Sequence, residues 1–182
     1  RDAKGRKQYI YHSKFEKARQ EEKFAKMKDF GKSLEKFRKK VLNDIDSKVW
    51  TKSKVVALLV LLLDETGIRI GNKQYATQNG TYGLTTLRRK HMTLEGNQII
   101  FEYKGKSNKT RHVEIDDTYL TKLIKKSAQL PGYEIFRYQY ESGNFQSIDS
   151  EDVNEYIHNH MGDAFSSKDF RTWVASRLAV EM

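Results

Sequence analysis

Between residues 13 and 30, SKFEKARQEEKFAKMKDF, the apolar Phe15, Ala18, Phe24 and Met27 fall near helical spacing with charges between them. That pattern predicts an amphipathic helix. Gly31 followed by Ser33 predicts a break and a fresh N-cap. A second helix over 34–45 is then expected on Leu34, Phe37, Val41, Leu42 and Ile45. Residues 52–66 are apolar on nearly every side, so a third helix there should be central and should stop at Gly67. Its apolar run, Val55–Leu63, is nine residues long. A membrane span needs about 20, so the run reads as a buried core helix.

After Gly67 the pattern changes. Residues 71–83, GNKQYATQNGTYG, predict a short helix and a loop. From 84 to 115 the β-branched and aromatic residues predict three strands, Leu84–Leu94, Gln98–Tyr103 and Thr110–Ile115. Glu95-Gly96-Asn97 and Lys104–Lys109 are the turns between them. Helices are expected again over 117–129, 150–161 and 167–180. The expected class is α+β, mainly helical, with one small three-stranded antiparallel sheet. No internal repeat or low-complexity tract interrupts it.

Composition narrows the function classes. The 182 residues suffice for one substantial core. There are no cysteines, which excludes disulfides and thiolate chemistry. No signal peptide is visible, because the charged start RDAKGRKQYIYH has no apolar stretch behind it. The net charge is +10, and its location matters more than its size. Residues 1–54 hold 18 Lys/Arg against 8 Asp/Glu, whereas residues 55–182 hold 16 of each. A basic arm on a neutral body points to a polyanion, most simply nucleic acid. A lysine-rich solubilising helix would also fit the charge alone.

Three motifs could carry chemistry. Gly67-Ile68-Arg69-Ile70-Gly71 sets one arginine between glycines at the end of the most apolar helix. Lys104-Gly105-Lys106 sits at a hairpin tip. Lys168-Asp169-Phe170-Arg171-Thr172-Trp173 opens a late helix. Each alone is as readily a salt-bridge partner or a solvated tip. Asp169 and Thr172 suit capping or orienting, and Trp50 and Trp173 suit the core. His12, His91, His112, His158 and His160 form no metal-ligand pattern, and no metal is assigned.

Taken together and in this order, the motifs resemble the type IB DNA topoisomerases, in particular their small poxvirus and bacterial forms. The resemblance runs along nearly the whole chain. It starts at Gly5-Arg6-Lys7-Gln8-Tyr9 with Tyr11 and continues through Gly67–Gly71 with Tyr75. It then takes in Tyr82-Gly83-Leu84-Thr85-Thr86-Leu87, Arg88-Arg89-Lys90-His91 and Tyr103-Lys104-Gly105-Lys106, and closes on Lys168–Trp173.

The resemblance implies a catalytic fold shared with tyrosine recombinases. It implies duplex DNA as partner, a monomer, no membrane, no metal and no nucleotide cofactor, and, in a bacterium, a place in the cytoplasm at the nucleoid. In that family a tyrosine attacks a DNA phosphodiester, giving a 3′-phosphotyrosyl bond and a free 5′-hydroxyl. The covalent link keeps the bond energy, so the nick reseals without ATP. The matching positions make Arg69 and Arg171 the guanidiniums that meet charge developing on the phosphorus oxygens. Lys106 becomes the general acid, with Lys104 a rival by proximity. Lys168, three residues before Arg171, is expected to assist from the same helical face or cap. DNA contacts fall on Arg6, Lys7, Tyr9, Tyr11, Tyr75, Arg88 and Lys90.

The family also needs a late histidine and the tyrosine nucleophile. Here no tyrosine follows Tyr156, no histidine follows His160, and both precede Arg171. Residues 1–12 are therefore expected to be the end of an N-terminal DNA-clamp segment. Residues 13–182 are expected to be a catalytic core cut before its nucleophile block, inactive in cleavage by itself. Two other readings stay open. One is a tyrosine recombinase or integrase, which usually carries histidine where Lys168 stands. The other is a basic DNA-binding module without chemistry.

Overall fold

A computed structural model describes residues 13–181. The element order is α1 (Ser13–Ile45), α2 (Lys52–Thr66), α3 (Lys73–Asn79), β1 (Met92–Glu95), β2 (Gln98–Lys104), β3 (Thr110–Ile115), α4 (Thr118–Ala128), β4 (Arg137–Gln139), β5 (Phe145–Ser147), α5 (Ser150–Met161) and α6 (Ser167–Glu181). This is the expected mainly helical α+β layout. Among the described residues, no helix is long and apolar enough to cross a membrane.

α2 is the centre. Thr51 caps it through its side chain, and it ends at Gly67 in the left-handed region, whose N–H bonds Leu63 O. All of Val55–Leu63 is buried except the half-buried Leu61. α1, α5, α6 and β4 pack around it. Burying so continuous a run is the main favourable term in this fold, since a fully buried Val or Leu contributes about 1.5–3 kcal/mol relative to exposure.

α1 is a single helix, not the two expected. The break predicted at Gly31 and Ser33 is absent. Gly31 is instead the point where the indole of Trp173 lies against the helix: a Cβ there would sit 2.8 Å from the ring. Ser33 Oγ donates to Phe30 O at 2.9 Å within the helix and caps nothing. The buried stripe is Met27, Phe30, Leu34, Phe37, Val41 and Ile45, at steps of three and four. Phe15, Ala18 and Phe24, expected on the core face, are exposed, as is Leu42.

The sheet runs β1-β2-β3, antiparallel throughout, with Met92 opposite Phe101, Ile99 opposite Ile115 and Tyr103 opposite Arg111. The first expected strand is much shorter than predicted. Residues 84–86 and 89–91 form single 3₁₀ turns, and the backbone of the first has another partner. Leu84 N–H donates to Arg69 O at 2.9 Å and Thr85 N–H to Ile70 O at 2.8 Å. A second hairpin, β4–β5, was not foreseen; its strands are three residues each, too short for a periodicity signal.

Candidate active site

Arg69 follows directly from the way α2 stops. Two residues past Gly67 the chain is extended, and the 82–86 segment closes over it. Besides the two backbone bonds above, Thr85 Oγ1 donates to Ile70 O at 2.9 Å. Gly83 is pressed against this loop: a Cβ there would stand 2.4 Å from Arg69 O and from Gly71 N. The arginine's backbone is thus clamped, while its Nε is buried with no hydrogen-bond partner among the described residues. An unpaired buried donor is costly, roughly 1–3 kcal/mol, and is best explained by an anion that the site is built to receive.

Arg171 arrives from the other end of the chain. α6 packs on α2, and its start is fixed by Asp169, whose Oδ2 accepts from Ser166 N–H at 2.9 Å while Lys26 pairs with Oδ1 at 2.7 Å. Ser167 N–H donates to Asn154 Oδ1 of α5. Phe170 is fully buried beside Phe30 and Phe37. The next residue therefore projects to the end of α2, where Arg171 Nε donates to Gly67 O at 3.2 Å.

Arg69, Tyr103, Gly105, Lys106, Arg111 and Arg171 line one cleft of about 130 Å³. Burial lowers the pKa of Arg171, and the like charges of Arg69 and Arg111 lower it further. Among the described residues, no carboxylate lines the cleft. Guanidiniums gathered without a counter-ion make a field suited to an anion with several oxygens. Burial raises the Tyr103 hydroxyl, and the three arginines pull against it. Lys106 is exposed at the hairpin tip, where Ser107 and Asn108 adopt positive φ.

Lys168 behaves otherwise. It is exposed at the start of α6 and does not line the cleft. Lys104 also stays outside and lines a wider neighbouring hollow with Lys90 and His91. In that hollow Tyr82 is the organising ring. His91 lies 4.3 Å from it, and the Arg88 and Lys90 cations stand 5.8 and 5.9 Å away. Burial lowers the His91 pKa to about 4, helped by Lys90 and Arg88, and its Nδ1 accepts the Arg88 N–H at 3.0 Å. Arg88 Nε is a second buried donor without a partner. Arg89, between them, is structural, donating to Ala128 O and Leu130 O. Tyr75 stands exposed on α3. Arg6, Lys7, Tyr9 and Tyr11 lie outside the described residues.

Sequence reasoning did not single out Arg111. The signal was available once the turn was placed: a hairpin closing at Gly105 and Lys109 puts Arg111 opposite Tyr103, on the same sheet face.

Residues 12–182 match the family described as "Eukaryotic DNA topoisomerase I, catalytic core". Among curated proteins, the chain is 34% identical over 184 residues to the DNA topoisomerase 1B of Acanthamoeba polyphaga mimivirus, covering 99% of this chain and 55% of that protein. It is 33% identical over 110 residues to the DNA topoisomerase I of Monkeypox virus, covering 58% of this chain and 33% of that protein. The chain thus spans about half the length, or less, of these relatives. Among solved structures, the XerH site-specific recombinase bound to difH substrate, in its pre-cleavage complex, superposes with a TM-score of 0.54 at 20% identity, over 82% of this chain and 42% of that one. That likeness establishes the fold and nothing finer.

Proposed function

This chain belongs to the family of DNA topoisomerase I catalytic cores, and on that premise we propose that its cleft holds one phosphodiester of duplex DNA for strand cleavage and rejoining by a type IB topoisomerase. The observation that carries the proposal is the meeting of Arg69 and Arg171. They are 102 positions apart (171 − 69) yet line one cleft in which no carboxylate among the described residues neutralises them.

The two guanidiniums bind the non-bridging oxygens and gain most when charge builds there in the transition state. A tyrosine oxygen attacks phosphorus, giving up its phenolic proton to water, and the bond to the 5′-oxygen breaks. Lys106 hands its proton to that leaving oxygen, and the reverse reaction returns it. The attacking tyrosine is assigned to no described residue of this chain. Tyr156, the last in sequence, is buried between α1 and α5 and donates to Asp44 Oδ2 at 2.7 Å; burial and that carboxylate both raise its pKa. The flanking Tyr82, Arg88 and Lys90, with Tyr75, take further backbone contacts.

Relaxation of supercoiled plasmid by the full gene product, in EDTA and without ATP, tests the reading. Relaxation is expected; a strict need for Mg²⁺ or ATP contradicts it. For Lys106, the Lys106→Ala variant should cleave slowly, and a substrate with a 5′-bridging sulfur should restore its rate, because a thiolate leaves without a proton donor. The same sulfur should not rescue Arg171→Ala. Failure of sulfur to rescue Lys106→Ala removes the general-acid role.

A further inference from the structure

Arg111 stands in the cleft without a role. It projects from β3 opposite Tyr103, and its Cγ and Nε pack over Gly105, where a Cβ would come within 3.0 and 3.4 Å of them. Among the described residues no carboxylate pairs with it, whereas the next residue on β3, His112, pairs with Glu114, which also accepts from Gln98. Arg111 therefore stands beside Gly105, the residue that carries Lys106, and faces Arg171 closely enough to repel its charge. Such an arrangement costs free energy in the unliganded protein, and a further negative charge would offset it.

One phosphodiester bears one negative charge and two non-bridging oxygens, which Arg69 and Arg171 already engage in the reading above. A third guanidinium on the opposite wall is better matched by the next phosphate of the same strand. Resting on that reading, we propose that Arg111 is a positioning residue: it binds the phosphate adjacent to the one held by Arg69 and Arg171, and so fixes the β2–β3 hairpin at the depth where Lys106 meets the leaving oxygen. Gly105 allows this, since a side chain there would push the guanidinium away from the turn.

The test uses this chain and a labelled duplex in which single methylphosphonates, each removing one charge, are walked along one strand while binding is read by fluorescence anisotropy. In the parent chain, neutralising each contacted phosphate should weaken binding about tenfold. Arg69→Ala and Arg171→Ala should each lose part of their sensitivity at one shared phosphate, where the remaining guanidinium still makes contact. Arg111→Ala should stay sensitive there and become insensitive at its immediate neighbour. Its log–log salt slope should fall by about 0.9, and Arg111→Lys should recover the slope. Arg111 is exposed, so the alanine variant should keep its thermal midpoint; if it does not, Arg111→Gln repeats the walk. Sensitivity retained at every phosphate overturns the proposal, as does loss at the phosphate shared by Arg69 and Arg171. Should Arg69→Ala and Arg171→Ala themselves keep full sensitivity everywhere, or the parent bind no duplex, the reading of the cleft fails and the role of Arg111 falls with it.

Discussion

The cleft wall that carries Arg69 and Arg171 is backed by buried chain, whereas the wall that carries Lys106 and Arg111 ends in an exposed hairpin tip. On the first wall, α2 and α6 pack around Phe30, Phe37 and Phe170, and the arginine loop is laced to residues 83–85 by backbone bonds. On the second, β2 is buried at Ile99, Ile100, Phe101 and Tyr103, but residues 106–112 are exposed. The difference fits two chemical tasks. Groups that stabilise developing charge gain from being fixed in advance. Under the proposed function, a proton donor that has to enter and leave a DNA groove gains from an exposed support that few contacts hold.

Breaking the fixed wall should have the largest effect. Gly83→Ala would drive a Cβ into the Arg69 carbonyl and the Gly71 amide, at 2.4 Å in each case. Both are backbone and cannot step aside. A loss of about 3–5 kcal/mol is expected by denaturant titration; a loss under 1 kcal/mol would show that the loop is soft. Next, Arg69→Ala and Arg171→Ala in the full gene product should each cut the cleavage rate by roughly 10²–10³. Plasmid affinity should move far less, because one charge is a small part of a many-phosphate contact. Equal losses in rate and affinity would make the arginines mere binding groups.

A smaller effect is expected from pH on the flank beside the fixed wall. His91 has a folded pKa of about 4, below its ordinary value of 6.5. The unfolded chain then binds the proton more readily between those two values, so stability should fall as pH drops from about 6.5 toward 4. In His91→Gln the urea midpoint should vary less over that window. An unchanged pH dependence would mean that His91 is not held neutral by its burial. The smallest effect belongs to the exposed wall. Gly105→Ala presses on the flexible Arg111 side chain at 3.0 Å, with backbone Lys109 O at an ordinary 3.7 Å, and should cost under about 1 kcal/mol, although it should disturb the salt slope as Arg111→Ala does.

What could be read from the sequence follows the same division. The central helix was legible because Val55–Leu63 is apolar on nearly every side and the pattern stops at Gly67. The late helices were legible as a return to helical segments after Asp116-Asp117, and the structure caps two of them with Asp117 and Asp149. Gly31 misled because a glycine that admits a neighbouring indole looks the same in sequence as one that ends a helix. Leu84–His91 misled because β-branched residues serve a loop as well as a strand when their amides bond elsewhere, here to Arg69 and Ile70. Arg69, Lys106 and Arg171 were named as candidates through motif order, and the structure brings them to one cleft. It leaves Lys168 outside, since the first turn of α6 carries it away from the end of α2. Arg111 was hidden because a lone basic residue in a polar strand has no periodic or motif signature.

A crystal structure of this chain bound to a short duplex tests the central claim most directly. One phosphate should lie within about 3 Å of both guanidiniums, with the orphan Nε of Arg69 donating to it. The contradicting result is a duplex bound on another face, or Arg69 and Arg171 engaging separate phosphates.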